Sequence, residues 1–216
     1  MKKVVIIGAG GFGREVVEIF KEQNKIQKRW EILGFIDENK ELWGKSINNY
    51  PVLGGFDWFD NKKDVGCLIA IGDPKSRKKI AQFLEEKGVQ FYNAFHPSVI
   101  ISDIVSMGTG VIICAGSIIS VNSTIKNHVI VNLNCTIGHD AVLENFCSIM
   151  PSVSISGEDH LGEGVYVGTG ATVIQQITVG EWSLIGAGAT VMIDVPKNVT
   201  AFGMPAKIMK KIMENL

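Results

Sequence analysis

The sequence predicts two architectures in one chain: a Rossmann-like α/β unit over residues 1–93, then a β-solenoid over 94–195, closed by a looped tail at 196–216. Three observations carry this. An aliphatic residue stands at every sixth position from Ile101 to Val191, 16 times in one register with no insertion. A continuous apolar run, Val4 to Ile7, leads directly into the loop Gly8-Ala9-Gly10-Gly11-Phe12-Gly13 and a helical segment. Charge follows the same division: of 21 Lys and Arg, 16 precede Asn93, and Lys126 alone lies within 94–191.

With apolar residues at 46% of the chain, 16 matches in one register have a chance of roughly 10⁻⁵. A helix repeats near 3.6 residues and a free-standing strand at 2, so neither explains a strict six. Short strands joined by tight turns do, each aliphatic filling a narrow interior. Three hexapeptides make one triangular coil, so residues 101–191 make about five coils. Gly follows the aliphatic at 108, 138, 162, 168, 180 and 186; it is expected there to adopt backbone shapes that other residues resist. The residue two before the aliphatic is small or β-branched, as at Ser117, Ser123, Ala141 and Val153.

In the first unit, Lys3 to Ile7 reads as a parallel strand covered on both faces, and a helix runs from Arg14 to about Gln27. Ile32–Ile36 is a second strand ending at Asp37, and Cys67–Ile71 a third. Gly72-Asp73-Pro74 caps a helix from about Lys75 to Lys87, before a strand at Val89–Tyr92. Strands alternating with helices predict a small parallel sheet. Lys207–Leu216 reads as a closing helix.

A net charge of −1 and a cation-poor solenoid exclude a nucleic-acid groove. No run of about 18 apolar residues is present, so no membrane span is expected. Charge at Arg14 and Glu15 makes the apolar start a buried strand rather than a signal peptide, and the expected location is cytoplasmic. Cys67, Cys114, Cys135 and Cys147 lack C-x-x-C spacing and read as packing residues. No two of the four His are five apart, and no metal site is expected.

The glycine loop fits G-x-G-x-x-G at Gly8, Gly10 and Gly13, between a strand and a helix. Asp37 lies 24 residues beyond Gly13, where a carboxylate meets a nucleoside. The unit is too short for a dehydrogenase, so a nucleotide or nucleotide sugar is the better guest. In the solenoid, His139 is followed by Asp140; an adjacent carboxylate can orient the imidazole and favour its charged form, as a general base requires.

A hexapeptide solenoid resembles the hexapeptide-repeat acyltransferases, which form left-handed parallel β-helices. The order of glycine loop, His96-Pro97-Ser98, repeat with Gly138-His139-Asp140, and Gly203-Met204-Pro205-Ala206-Lys207 is similar to the nucleotide-sugar acetyltransferases. These include the bacillosamine-, perosamine- and legionaminic-pathway N-acetyltransferases and the sialic acid O-acetyltransferases. The resemblance implies direct acetyl transfer from acetyl-CoA to an amino group on a nucleotide-linked deoxyamino sugar, in a homotrimer, with His139 as base. It implies that Asn132 holds the sugar, that the Gly157 amide faces the thioester carbonyl, and that the Ala187 amide contacts acetyl-CoA. Gly8, Gly10, Gly11, Asp37 and Gly72 match the nucleotide-sugar pocket. Phe12 and Ser148 stand where some members carry His. The alternatives are O-acetyl transfer to a sugar hydroxyl and a non-catalytic sugar-nucleotide scaffold. Coenzyme A phosphates need cations, and Lys207 with Lys211, sharing a face of the expected closing helix, would supply them.

Overall fold

The apolar run after Lys2 forms β1 (Lys2–Ile7), whose Val4 to Ile7 are fully buried. The computed structural model describes residues 1–209, apart from the side chain of Asn61. The glycine loop turns β1 into α1 (Gly11–Ile26), followed by β2 (Trp30–Ile36). A short antiparallel hairpin, β3 (Ser46–Ile47) and β4 (Tyr50–Pro51), precedes β5 (Val65–Ile69), α2 (Pro74–Glu86) and β6 (Gln90–Phe91). The four long-range partners form a parallel sheet in the order β2-β1-β5-β6. Asp73 caps α2, its Oδ2 accepting from the Ser76 N–H at 2.7 Å, with Pro74 in the first turn. Val16, Val17 and Phe20 of α1 are buried.

The chain divides into two units, Met1–Pro97 and Ser98–Leu216. In the second, all 16 register residues are the second residue of a two-residue strand, from Ile100–Ile101 to Thr190–Val191. Up to Thr172–Val173, each strand pairs in parallel with the one 18 residues on: Ile119 with Ile137, Ile125 with Leu143, Ile113 with Val131. Three parallel sheets result, one per prism face. Ile101, Ile119, Ile137, Ile155, Val173 and Val191 line the first face. Met107 to Val179 line the second, and Ile113 to Ile185 the third. From Ile113 on, every register residue is buried.

The glycines after the aliphatics have a different cause from the expected one. Left-handed backbone occurs three residues after the aliphatic, at every sixth position from Gly110 to Gly188, non-glycines such as Asn122, Asp140 and Trp182 included. The glycine next to the aliphatic instead lets successive coils approach. A Cβ on Gly138 would lie 2.4 Å from the Ser156 carbonyl carbon.

The tail extends the third face. Thr200–Phe202 pairs in parallel with Leu184–Ile185, and Lys207–Met209 folds back antiparallel upon it. Lys207 therefore opens a strand, not the expected helix. The open edge at Thr200–Phe202 supplies backbone partners, and Gly203, at φ +96°, turns the chain toward them. Ile208 stays 43% exposed, so the expected helical face that Lys207 was to share with Lys211 is absent at Lys207. Lys211 lies outside the described residues.

Candidate active site

Six-residue periodicity puts residues 18 apart on one prism edge. The edge after the first face thus stacks Asn122, Asp140, Glu158 and Gln176, with His139 directly below Gly157. His139 Nδ1 lies 2.8 Å from Asp140 Oδ2, and both side chains are about half exposed. A carboxylate at Nδ1 keeps the proton there and leaves Nε2 as the basic nitrogen. Hydrogen bonds from His139 and then from Asn122 hold the Asp140 carboxyl below the usual aspartate range. Asn122 was not singled out from sequence; its signal was its place 18 residues before Asp140, in the same left-handed turn position.

Nε2 faces the next coil. A Cβ built on Gly157 would lie 2.5 Å from it, so any side chain there would displace the imidazole. Among the described residues, the Gly157 N–H donates to no acceptor. A basic nitrogen and an unpaired amide on adjacent coils can take a proton from a nucleophile and receive a developing oxyanion.

Asn132 and Ala187 lie after the third face and so on a different edge of the prism from His139. Asn132 Oδ1 accepts from the Leu133 N–H at 2.8 Å, and Ala187 is exposed. Ser148 is fully buried.

In the first unit, the parallel sheet brings Gly8, Asp37 and Gly72 to its carboxyl end, the usual ligand-binding end of such sheets. Gly8 has φ +96° and donates to the Ile36 carbonyl, and a Cβ on Gly13 would meet Gly8 O at 1.9 Å. Gly10 and Gly11 are exposed at the N-terminus of α1. Asp37 is occupied in shaping this loop: Oδ2 accepts from the Ala9 N–H and Oδ1 from the Asn39 N–H, both at 2.9 Å. Gly72 O accepts from Arg77 Nη1 at 3.1 Å, and Arg77 is fully buried.

The remaining chemistry-bearing residues pack. His128 stacks on Phe146 at 5.1 Å, and His160 Nε2 reaches Glu144 Oε1 at 3.3 Å. All four cysteines are buried, and burial pushes the Cys135 thiol up to about 11. Among the described residues, no three His, Cys, Asp or Glu form a metal-binding group, and no helix is long and apolar enough to cross a membrane.

Residues 3–84 match the family model of the PglD N-terminal domain. The chain is 29% identical to the GDP-perosamine N-acetyltransferase of Escherichia coli O157:H7, over 95% of this chain and 96% of that protein. Among solved structures, it matches PerB from Caulobacter crescentus in complex with CoA and GDP-perosamine with TM-score 0.88 and 31% identity, over 96% of this chain and 97% of that one. The acetyltransferase domain of PglB from Neisseria gonorrhoeae FA1090, in complex with acetyl coenzyme A, matches with TM-score 0.88 and 30% identity, over 96% and 99%.

Proposed function

The chain belongs to the nucleotide-sugar N-acetyltransferases of the hexapeptide-repeat, left-handed β-helix superfamily, and from this we propose that it moves acetyl from acetyl-CoA to a nucleotide-linked amino-deoxy sugar with His139 as general base. The observation that carries the base assignment is His139 Nδ1 held by Asp140, with Nε2 packed against Gly157 of the next coil, whose amide is unpaired among the described residues. The neutral sugar amine attacks the thioester carbonyl, forming the C–N bond while its proton passes to Nε2. The Gly157 N–H donates to the oxyanion of the tetrahedral intermediate. That intermediate collapses with cleavage of the C–S bond, and coenzyme A leaves as thiolate. Asp140 orients the ring and favours the imidazolium formed.

Gly8, Gly10, Gly11, Asp37 and Gly72 are the candidate contacts for the nucleotide end, supported by three open amides at the start of α1. Ala187 and Asn132 sit on another edge from His139, which favours a homotrimer whose sites combine edges of neighbouring copies. Ile100, Ile104, Ile118 and Val121, at 64, 61, 43 and 42% exposed, form an apolar strip that a neighbouring copy would cover.

Lys207 remains the candidate for the coenzyme A phosphates. Lys207→Ala is expected to raise the KM for acetyl-CoA several-fold at low salt and by less at high salt, because screening weakens exposed charge pairs. Equal KM values at low salt overturn that role.

The assay for the reaction is thiol release from acetyl-CoA against a panel of UDP-, dTDP- and GDP-linked amino sugars. His139→Ala is expected to lower kcat by about 10²–10⁴-fold, as for loss of a general base, with acetyl-CoA affinity little changed. A variant keeping more than half of wild-type activity removes His139 from the mechanism.

A further inference from the structure

One buried ionisable side chain in the solenoid has no part in the mechanism so far. The place two residues before each register aliphatic recurs 16 times from Val99 to Ala189, and from Val111 on it is buried in every coil. Fifteen of these hold Val, Ser, Cys, Ala or Ile; the sixteenth is Asp159. Where Ser or Cys stands there, it donates to a carbonyl of the next coil, as Ser117 does to Asn132 O and Ser123 to Gly138 O. Asp159 is fully buried and accepts instead. Its Oδ2 takes the Ser156 N–H and its Oδ1 the Ile177 N–H, each at 2.9 Å.

Those two bonds change the local backbone. The Ser156 N–H is shared between Asp159 and the Val173 carbonyl, the latter at 3.2 Å; one coil earlier, the Gly138 N–H makes an unshared bond of 2.8 Å to Ile155 O. Ile177 N–H is drawn to the carboxylate, as Cys135 N–H is to Ser117 Oγ at 3.1 Å, whereas Val165 and Ala171 at the same place close turns on the Gly162 and Gly168 carbonyls. Gly138 presses against the Ser156–Gly157 peptide, and Asp159 holds the Ile155–Ser156 peptide immediately before it from within. The Ser156–Gly157 peptide carries the amide assigned to the oxyanion.

We propose that Asp159 is a positioning residue for the Gly157 amide. The inference rests on the reading of Gly157 as oxyanion donor. A role confined to stability fits poorly with a carboxyl in this column, because burial without a charge partner opposes ionisation. Burial pushes its pKa up to about 6, while the two amides oppose that rise.

The experiment compares wild type, Asp159→Val, Asp159→Asn and His139→Ala by steady-state thiol release and urea unfolding at pH 7. Valine is the commonest residue of the column and removes the side-chain acceptor of both backbone bonds. Asp159→Val is expected to lower kcat about 10–100-fold, since a donor displaced by about 1 Å forfeits up to that much. Both KM values should stay within about twofold and the urea midpoint should hold or rise. Asp159→Asn keeps an acceptor for one of the two amides and should fall between; it decides the question in the same terms if the Val variant does not fold. Full kcat in both variants overturns the proposal, as does loss of kcat in step with loss of stability. A fully active His139→Ala would instead overturn the underlying assignment of this edge as the active site.

Discussion

His139 can serve as a base only while its ring is held in the tautomer that leaves Nε2 unprotonated, and the 2.8 Å contact to Asp140 does this. Asp140 is itself anchored by Asn122 from the coil below. Asp140→Asn is therefore expected to reduce kcat less than His139→Ala, since it loosens the ring without removing it. The pair was legible in sequence because its members are adjacent; Asn122 was not, because it acts across coils, and Asp159 takes only the Ile177 N–H of its two amides from the next coil. Asp159 also predicts a pH effect on stability. Its folded-state pKa of about 6 lies above the ordinary 3.8, so the folded state holds this proton more tightly than the unfolded chain. The stabilising contribution is full below about pH 4 and is lost as pH rises through 6, a change of about 3 kcal/mol at 1.36 kcal/mol per pH unit. Asp159→Asn should thus gain stability relative to wild type between pH 4 and 7. Urea midpoints for the two proteins that stay parallel over this window would refute it.

At the scale of the element, the hexapeptide does two separate things with backbone geometry. Left-handed turns fall three residues after each aliphatic and are met by Asn, Asp, His and even Trp182 as well as Gly, each non-glycine at a strain of about 1–2 kcal/mol. Tight coil spacing falls one residue after the aliphatic, and there a side chain meets backbone. Gly170→Ala, with φ +69° and open space around it, should cost only about 1 kcal/mol. Gly138→Ala, with its Cβ 2.4 Å from the Ser156 carbonyl carbon, should cost about 3 kcal/mol or more and abolish activity by displacing the neighbouring His139 turn. Equal urea midpoints for the two variants would contradict this division of labour. The repeat pattern alone did not separate the two places, because glycine occurs at both.

At the scale of the molecule, a prism places its three edges apart, so one chain offers His139 on one edge and Asn132 and Ala187 on another. A cyclic three-fold assembly would join unlike edges of adjacent copies and cover the Ile100–Ile118 strip. Light scattering of the active preparation should give about three times the 23.5 kDa chain mass. A stable active monomer would exclude a site shared between copies.

The sequence by itself determined the solenoid, its register and its coil length, because a narrow interior that every coil must fill demands an aliphatic at every sixth position. It also determined the parallel sheet with its glycine loop, since apolar strand, close turn and helix are contiguous in the chain. Tertiary structure decided what depends on residues 18 apart: Asn122 under Asp140, Gly157 against His139 and the Ile177 N–H on Asp159. It also turned Lys207 into a strand, because the edge that pairs with it exists only once the last coil is stacked. Contacts along one coil are written in local pattern; contacts between coils arise only when stacking brings distant residues to a single edge.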